Sequence, residues 1–360
     1  MPSLLERWSR RRQVAQQRQQ QPAELPTPAP KVAVFGASGF AGALAARLVD
    51  RHPRFQLTAI TSRSDSGRKL SELYPQHRVE LFLEQPELDK HGDVDAAIIA
   101  YPHGASAELV QQLRARGVRV VDLSADFRLR DQATYEEWYQ PHPTPELIEG
   151  AVYGLPELYR DAIKGAGLVA NPGCYPTATI LALAPLARAG VIAELVVDAK
   201  SGLSGYGRTA DDTSHFVAAD ENVCAYKVPR HRHTPEIEQE LARLGSEVTM
   251  TFTPHLVPLD QGELVSCYVT LSDPAMSTEQ ILSLYEQAYA HEHFIELVSD
   301  PVGVRAVRET NFTRISVHRD ERSGRVIVFA AIDNLWKGTA SQALQNLNLM
   351  FGYPEGEGLG

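Results

Sequence analysis

The sequence is poor in cysteine, and this scarcity excludes two common kinds of site. It contains three cysteines in 360 residues, Cys174, Cys224 and Cys267, and no Cys-x-x-Cys pair. Such a set predicts neither a disulfide framework nor a structural zinc site, and it is typical of a reducing compartment. We therefore expect a cytoplasmic protein without a bound metal.

An excess of basic residues and long apolar runs are also lacking. The formal net charge is −10, with 35 lysines and arginines against 45 aspartates and glutamates, so nucleic acid is not an expected partner. No apolar run approaches the roughly 20 residues of a membrane-spanning helix, so no membrane partner is expected either. The length and the 43% of apolar residues predict a globular enzyme of two domains.

The first 30 residues differ in composition from the rest of the chain. They are rich in arginine, glutamine and proline and contain no apolar stretch of the kind that a secretory signal needs. We expect residues 1–30 to be a disordered extension. A misplaced start codon and an organelle-targeting segment, for which serine is sparse, stay open as alternatives.

A strand, a glycine turn and a helix follow this extension directly. Lys31–Phe35 predicts the strand, Gly36, Gly39 and Gly42 form a GxxGxxG turn, and residues 43–50 have a helical composition. This order is the first unit of a dinucleotide-binding sheet, in which the start of the helix binds the pyrophosphate. We therefore predict cofactor contacts in and after the turn, at Gly36, Ser38, Gly39, Phe40 and Gly42.

The end of the second predicted strand, residues 56–61, indicates which nucleotide is bound. NAD-binding proteins commonly place an acidic residue there, to bind the ribose 2′-hydroxyl. Here the strand continues into Ser62, Arg63 and Ser64, with no carboxylate before Asp65. Guanidinium and hydroxyl groups suit a 2′-phosphate, so we predict that the cofactor is NADP. A solvated loop arginine is the alternative interpretation.

Two further strands are predicted at residues 95–100 and 118–123, with a helix between them over residues 106–116. Both strands end in polar loops, and ligands of open α/β sheets bind at the carboxyl ends of the strands. The loops should therefore face the nicotinamide and the substrate. For His103, in the first loop, a capping or packing role is favoured over catalysis.

The segment that says most about chemistry is Asn171–Cys174, in which a cysteine follows a Pro-Gly turn and precedes an apolar helical run over residues 177–189. A sulfur at this place faces the positive end of a helix, which favours thiolate over thiol. The alternative is a small buried cysteine beside a turn. Cys267 alternates with Val265 and Val269 in a predicted strand, so we expect it to pack in the core.

Together these features resemble the N-acetyl-γ-glutamyl-phosphate reductase family of the aspartate-semialdehyde-dehydrogenase-like superfamily. The resemblance runs from Lys31 to about Leu359 and is most specific at Cys174 and at residues 231–236, His-Arg-His-Thr-Pro-Glu. Its other segments are residues 36–42, 122–128, 153–157, 201–205 and 334–338.

The resemblance implies an α/β fold of two domains. A Rossmann NADP-binding domain would comprise residues 31–173 and 335–360, and an α/β catalytic and dimerisation domain would comprise residues 174–334. The C-terminal helix, residues 338–350, would return to the Rossmann domain. We expect a homodimer or a homotetramer.

The implied reaction is the NADPH-dependent reduction of N-acetylglutamyl phosphate to N-acetylglutamate semialdehyde and phosphate, in arginine biosynthesis. The resemblance places Cys174 at the nucleophile and His233 at the catalytic base. It implies further cofactor contacts at Ser201, Gly202 and Asn334. It implies that the small acyl-phosphate substrate is bound by Arg128, His231 and Arg232. For Arg232, a solvated or domain-interface role stays open as the alternative.

Two kinds of rival function stay open. Aspartate-semialdehyde dehydrogenase and a lysine-pathway aminoadipyl-phosphate reductase would share nearly every step. A catalytically silent NADP-binding protein is the rival of a different class.

One position departs from the pattern of the family. The family usually carries an arginine before Gly262, where this chain has Gln261. This departure concerns one substrate or interface contact rather than the chemistry.

Overall fold

A computed structural model describes residues 28–359 of the chain. The extension predicted over residues 1–30 therefore lies outside the described residues, apart from its last three. The described residues divide into two units. We call residues 28–173, 207–209 and 335–359 the Rossmann unit, and residues 174–206 and 210–334 the mixed-sheet unit. Within the described residues, no helix has the length and apolar character needed to cross a membrane.

The sheet of the Rossmann unit has seven strands, all of them parallel. They are β1 (Lys31–Phe35), β2 (Gln56–Thr61), β3 (Leu83–Glu84), β4 (Ala96–Ile99), β5 (Arg119–Asp122), β6 (Val152–Tyr153) and β7 (Leu168–Ala170). Their order across the sheet is β3-β2-β1-β4-β5-β7-β6. The central strands β1, β4 and β5 are buried apart from the first residues of β1 and β5, and valine, isoleucine and alanine predominate in them. This is typical of a parallel sheet covered by helices.

Among the described residues, six α-helices precede the mixed-sheet unit. They are α1 (Phe40–Asp50), α2 (Leu70–Leu73), α3 (Leu88–His91), α4 (Ala107–Ala115), α5 (Gln132–Trp138) and α6 (Pro156–Lys164). Helix α1 begins three residues earlier than predicted, because the extended backbone of Gly39 already serves as its N-cap. The first turn of the helix therefore starts inside the glycine turn itself.

The mixed-sheet unit also has seven strands, which run both parallel and antiparallel. They are β8 (Ile192–Gly202), β9 (Cys224–Ala225), β10 (Met250–Val257), β11 (Glu263–Leu271), β12 (Ile295–Leu297), β13 (Thr313–Asp320) and β14 (Arg325–Ile332). Their order is β12-β13-β14-β11-β8-β10-β9, with parallel pairs at β8–β10 and β12–β13. Cys267 on β11 is wholly buried, which confirms its predicted core position.

Four α-helices accompany this sheet, α7 (Cys174–Arg188), α8 (Phe216–Ala219), α9 (Thr234–Leu244) and α10 (Thr278–Tyr289). Helix α7 packs on β11 and β14, and its residues from Tyr175 to Ala187 are all buried. It starts at Cys174 rather than at residue 177, because a proline, here Pro176, is tolerated in a first helical turn.

The C-terminal segment returns to the Rossmann unit, as predicted. A π-helical turn (Trp336–Ala340) leads into α11 (Ser341–Met350), which packs against α1 and α6. The ammonium of Lys337 lies 2.6 Å from the carboxylate of Glu157, and both side chains are buried. Burial acts to raise the pKa of Glu157, but Lys337 outweighs it and holds that pKa below its usual value. With both units described, the predicted two-domain α/β fold is confirmed.

Candidate functional site

The glycine turn between β1 and α1 is tightly packed at two of its three glycines. Gly36 has a φ of +85°, and a Cβ on it would lie 2.5 Å from the carbonyl oxygen of Ala100. A Cβ on Gly42 would lie 2.3 Å from the carbonyl oxygen of Gly36, whereas one on Gly39 would lie 3.8 Å from that oxygen. The turn therefore needs glycine at positions 36 and 42 to form, and it leaves open space beside Gly39 at the start of α1.

This difference predicts two distinct outcomes for alanine substitutions in the turn. Gly42→Ala should destabilise the fold by about 1–3 kcal/mol, because its methyl group meets backbone that cannot yield. Gly39→Ala should cost less than about 1 kcal/mol, since alanine has room there but is a poorer N-cap than glycine. Its main effect should be to weaken the binding of the cofactor, whose pyrophosphate would occupy the open space. Urea unfolding and cofactor titration of both variants check this. Equal losses of stability in the two variants would contradict it.

A cluster of hydroxyls and charges lies at the end of β2. The hydroxyls of Ser38 and Ser62 are 2.8 Å apart, and Ser62 Oγ accepts a hydrogen bond from the backbone N–H of Asp65 at 3.1 Å. The Asp65 carboxylate accepts from Ser64 at 2.7 Å and from Arg208 at 2.9 Å. These two partners hold the pKa of Asp65 below its usual value. The carboxylate is therefore already engaged by protein donors.

Two guanidinium groups adjoin this cluster, although the sequence indicated only one. Arg63 is exposed and lies over the ring of Tyr101, with 4.9 Å from its Cζ to the ring centroid. Arg208 binds Asp65 and also donates to the carbonyl oxygen of Ser38 at 3.2 Å. Arg208 is 143 residues from Asp65 in the chain, so no local pattern signalled it. The ring of Phe40, at the start of α1, meets that of Tyr74 edge to face, with 6.2 Å between the ring centroids.

Hydrogen bonds within the Rossmann unit hold the Asn-Pro-Gly turn. Asn171 is wholly buried; its Nδ2 donates to the carbonyl oxygen of Thr339 at 3.1 Å, and its Oδ1 accepts from Asn346 at 3.0 Å. Arg128 is 4% exposed and donates to the carbonyl oxygens of Asn171 and Leu123, at 2.8 and 2.7 Å. Arg128 thus fixes the backbone before the cysteine, and its contact with substrate stays a prediction.

Cys174 lies at the first residue of α7 and is half-buried. The N-terminus of such a helix carries a partial positive charge that favours an anion. The next residue, Tyr175, donates to the carbonyl oxygen of His255 and accepts from the phenol of Tyr226, both at 3.3 Å. Burial above all raises the pKa of both phenols far above their usual value. They therefore stay protonated at neutral pH.

The two histidines of the His-Arg-His motif meet at the ring of Tyr175. Their ring centroids lie 5.7 Å (His231) and 5.9 Å (His233) from that of Tyr175, and 4.8 Å from each other. His231 is buried, and its Nδ1 accepts from the backbone N–H of His233 at 3.1 Å. His233 is half-buried just before α9, and Arg232 is exposed. Of the two imidazoles, that of His233 has the solvent access that favours proton exchange.

The predicted cofactor contacts at the end of β8 form a rigid frame. Ser201 is buried, and a Cβ on Gly202 would lie 2.7 Å from the carbonyl oxygen of Asp260. Asn334 accepts from the backbone N–H of Gly262 at 2.7 Å and donates to the hydroxyl of Ser204 at 3.0 Å. The amide of Asn334 therefore ties this loop to the start of β11. Cofactor contacts of these residues stay a prediction.

Glu263 is a candidate that the sequence analysis missed. It is the first residue of β11 and is wholly buried between Ser201 of β8 and Ile332 of β14. Burial raises its pKa to about 8; the thiol of Cys174 acts against this rise, and the charge of Asp333 adds to it. The departure at Gln261 points to this segment of the chain, but it does not reveal that the carboxyl is buried.

Comparison with protein-family models and curated proteins gives consistent matches over most of the chain. Residues 31–166 match the NAD binding domain of semialdehyde dehydrogenase, and residues 174–334 match its dimerisation domain. A protein of Moorella thermoacetica is 48% identical over 336 residues, which cover 90% of this chain and 96% of that protein. One of Syntrophobacter fumaroxidans is 46% identical over 337 residues, covering 91% and 97%. Both are named N-acetyl-gamma-glutamyl-phosphate reductase.

Solved structures show the same fold at lower sequence identity. The aspartate semialdehyde dehydrogenase II of Vibrio cholerae has a TM-score of 0.69 and 20% identity, with coverage of 90% of this chain and 99% of that chain. The aspartate semialdehyde dehydrogenase with NADP from Candida albicans has a TM-score of 0.66 and 15% identity, covering 91% and 99%. These likenesses concern the fold.

Proposed function

We propose the activity of this chain from the premise that it belongs to the N-acetyl-gamma-glutamyl-phosphate reductase family, within the semialdehyde dehydrogenases. It reduces N-acetylglutamyl phosphate to N-acetylglutamate semialdehyde and phosphate, a step of arginine biosynthesis. The observation that carries this proposal is a half-buried cysteine at the start of a long helix, next to a tyrosine that also contacts both motif histidines.

The residues of the Rossmann unit fit a nicotinamide dinucleotide. The open space beside Gly39 and the start of α1 would receive the pyrophosphate. Ser62, Arg63 and Ser64, together with Arg208, would bind a 2′-phosphate. Because protein donors already engage the Asp65 carboxylate, it is poorly suited to bind a ribose hydroxyl. These features support NADPH, which supplies a hydride when bound.

The chemistry of the remaining steps belongs to side chains of the mixed-sheet unit. The Cys174 thiolate attacks the acyl carbon, the bond to phosphate breaks, and a thioester to Cys174 remains. The N–H groups at the start of α7 stabilise the thiolate and the oxyanion that forms during attack. His233 takes the thiol proton and returns a proton when the thioester is reduced.

Membership of this family also supports a proposal for the oligomeric state and the cellular compartment. The match of residues 174–334 to a dimerisation domain supports a homodimer or a homotetramer. The three cysteines, all within the described residues, form no disulfide, which is consistent with the reducing cytoplasm.

An NADPH-oxidation assay with three acyl phosphates tests the proposed function. We expect turnover with N-acetylglutamyl phosphate and little or none with aspartyl phosphate or aminoadipyl phosphate. Preference for either of the other two would assign the chain to a related reductase. No oxidation of NADPH with any of the three, while NADPH still binds, would indicate the catalytically silent protein.

The choice of cofactor is tested by substitution of the two arginines that are proposed to bind the 2′-phosphate. Arg63→Ala and Arg208→Ala should each weaken NADPH about 10-fold or more, because each removes a charge-assisted hydrogen bond, and should change NADH little. Titration of both cofactors measures the difference. Arg116→Ala, which removes an exposed arginine paired with Asp89 in the same unit, is the control. Equal losses for NADPH and NADH would show that neither arginine binds the 2′-phosphate.

A further inference from the structure

Glu263 differs in its partners from two other buried glutamates, Glu157 and Glu240. The carboxylate of Glu157 is bound by Lys337, and that of Glu240 by Arg243. Neither carboxyl oxygen of Glu263 has a hydrogen-bond partner of good geometry, although the side chain is wholly buried. A buried carboxyl without such a partner costs stability, so packing does not account for this residue.

The groups that face Glu263 come from three separate segments of the mixed-sheet unit. Cys174 and Tyr175 belong to the start of α7, Tyr226 follows β9, and Asp333 follows β14. The two phenols stay protonated, and the Asp333 carboxylate accepts from the backbone N–H of residue 309 at 2.8 Å. Of these groups, the thiol of Cys174, which forms a side-chain hydrogen bond of poorer geometry with Glu263, is the one that can exchange a proton with it.

We propose that Glu263 is a further catalytic residue, which shares one proton with Cys174 and so stabilises the thiolate. Before attack, the pair of side chains loses one proton to His233 or to water. In the reactive form the S–H bond is broken, the carboxyl carries the remaining proton, and its O–H donates to the sulfur. When the semialdehyde leaves, the sulfur regains a proton. The pair thus carries a single negative charge, which moves between sulfur and carboxylate.

This inference rests on the proposed function for its catalytic meaning, but its first test needs no substrate. Two interacting groups release their protons in two macroscopic steps that belong to the pair. The rate at which iodoacetamide alkylates Cys174 should therefore rise in two steps with pH, the first near the pKa of about 8 that burial gives Glu263. Glu263→Gln should leave a single step, because an amide does not titrate.

Two control variants separate this effect from general disturbance of the unit. Glu238→Gln changes a half-buried glutamate that binds the backbone of Met250, and it should keep both steps. His233→Asn should keep the step that Glu263→Gln removes. Peptide mapping at each pH assigns the alkylation to Cys174. A first step that persists in Glu263→Gln, or is missing from the wild type, would overturn the proposal.

The kinetic test follows the same logic in the working enzyme. Glu263→Gln should lower kcat about 100-fold, as loss of a proton-transfer group commonly does, and leave the Kd of NADPH unchanged. Unchanged kcat would mean that the residue only fills space. If the wild type itself lacked reductase activity, the proposed function would fail, whereas the alkylation profile would still decide whether the pair shares a proton.

Stability gives an independent measurement of the cost of burying the Glu263 carboxyl, which the proposal requires. The pKa of Glu263 rises from 4.5 to about 8 on folding, so its contribution to stability is present below pH 4.5 and is lost as the pH rises to about 8. Glu263→Met escapes this loss. Its melting temperature should exceed that of the wild type, by more at pH 8 than at pH 5. A difference in melting temperature between Glu263→Met and the wild type that did not change between pH 5 and pH 8 would contradict the proposal.

Discussion

Replacing Cys174 with serine should lower kcat by about 10⁴-fold or more while leaving the affinity for NADPH unchanged. An alcohol at the start of a helix stays protonated at neutral pH, so the nucleophile is lost. The glycine turn and the residues proposed to bind the 2′-phosphate belong to the Rossmann unit and are unchanged in this variant. Steady-state kinetics and cofactor titration of the same preparation measure both quantities.

Chemical labelling checks the same assignment without a substitution. Iodoacetamide should alkylate Cys174 ahead of Cys224 and Cys267, and bound substrate should protect the enzyme. Cys267 is wholly buried, and burial raises the pKa of its thiol far above the usual value, so it should react last. Cys224→Ser is the matched variant and should keep its turnover. Labelling of Cys224 first, with activity lost in parallel, would move the nucleophile to that residue.

The second large effect is expected for His233→Asn, which should lower kcat by about 10²–10³-fold. Asparagine can form hydrogen bonds but cannot take the thiol proton, whereas the start of α7 still favours some thiolate. The double variant with Cys174→Ser should be little worse than the single serine variant, because both residues serve one step. Measurement of kcat against pH should show that a titrating group has been lost.

His231→Asn is the control for the role of His233. The buried ring of His231 accepts a hydrogen bond from the backbone of His233 and packs against Tyr175, so its loss should mainly lower the melting temperature. The pH dependence of kcat should keep its form in this variant. If His231→Asn removed the titrating group and His233→Asn did not, the base would be His231.

Local sequence patterns are sufficient to predict much of the fold. Strands β1 and β2 have the predicted bounds, because short apolar runs that end at glycine or serine leave little freedom in where a strand stops. The predicted starts of α1 and α7 are each three residues too late. Composition alone does not show that Gly39 caps α1, or that Pro176 lies within the first turn of α7. Such errors at helix ends are small but fall on the functional segments.

Contacts between distant positions could not be inferred from the sequence. Arg208 reaches Asp65 across 143 residues, and Lys337 reaches Glu157 across 180. The residues that flank Glu263 in the sequence do not indicate whether its carboxyl is buried or exposed. The surroundings of these side chains depend on tertiary packing, which brings a charged group to its partner or removes it from water. Neither the periodicity nor the local composition of the sequence indicates such packing.

The buried pair of Lys337 and Glu157 also bears on how the chain is made. The Rossmann unit is discontinuous, and the ribosome adds Lys337, Thr339 and Asn346 only after the whole mixed-sheet unit has been synthesised. Until then, Glu157 would be enclosed without its cation, and Asn171 without the groups that bind its amide. Completion of the nucleotide-binding half is therefore deferred to the end of translation. Chains that stop before residue 337 should retain a mixed-sheet unit beside an unfinished partner, a target for cellular proteases.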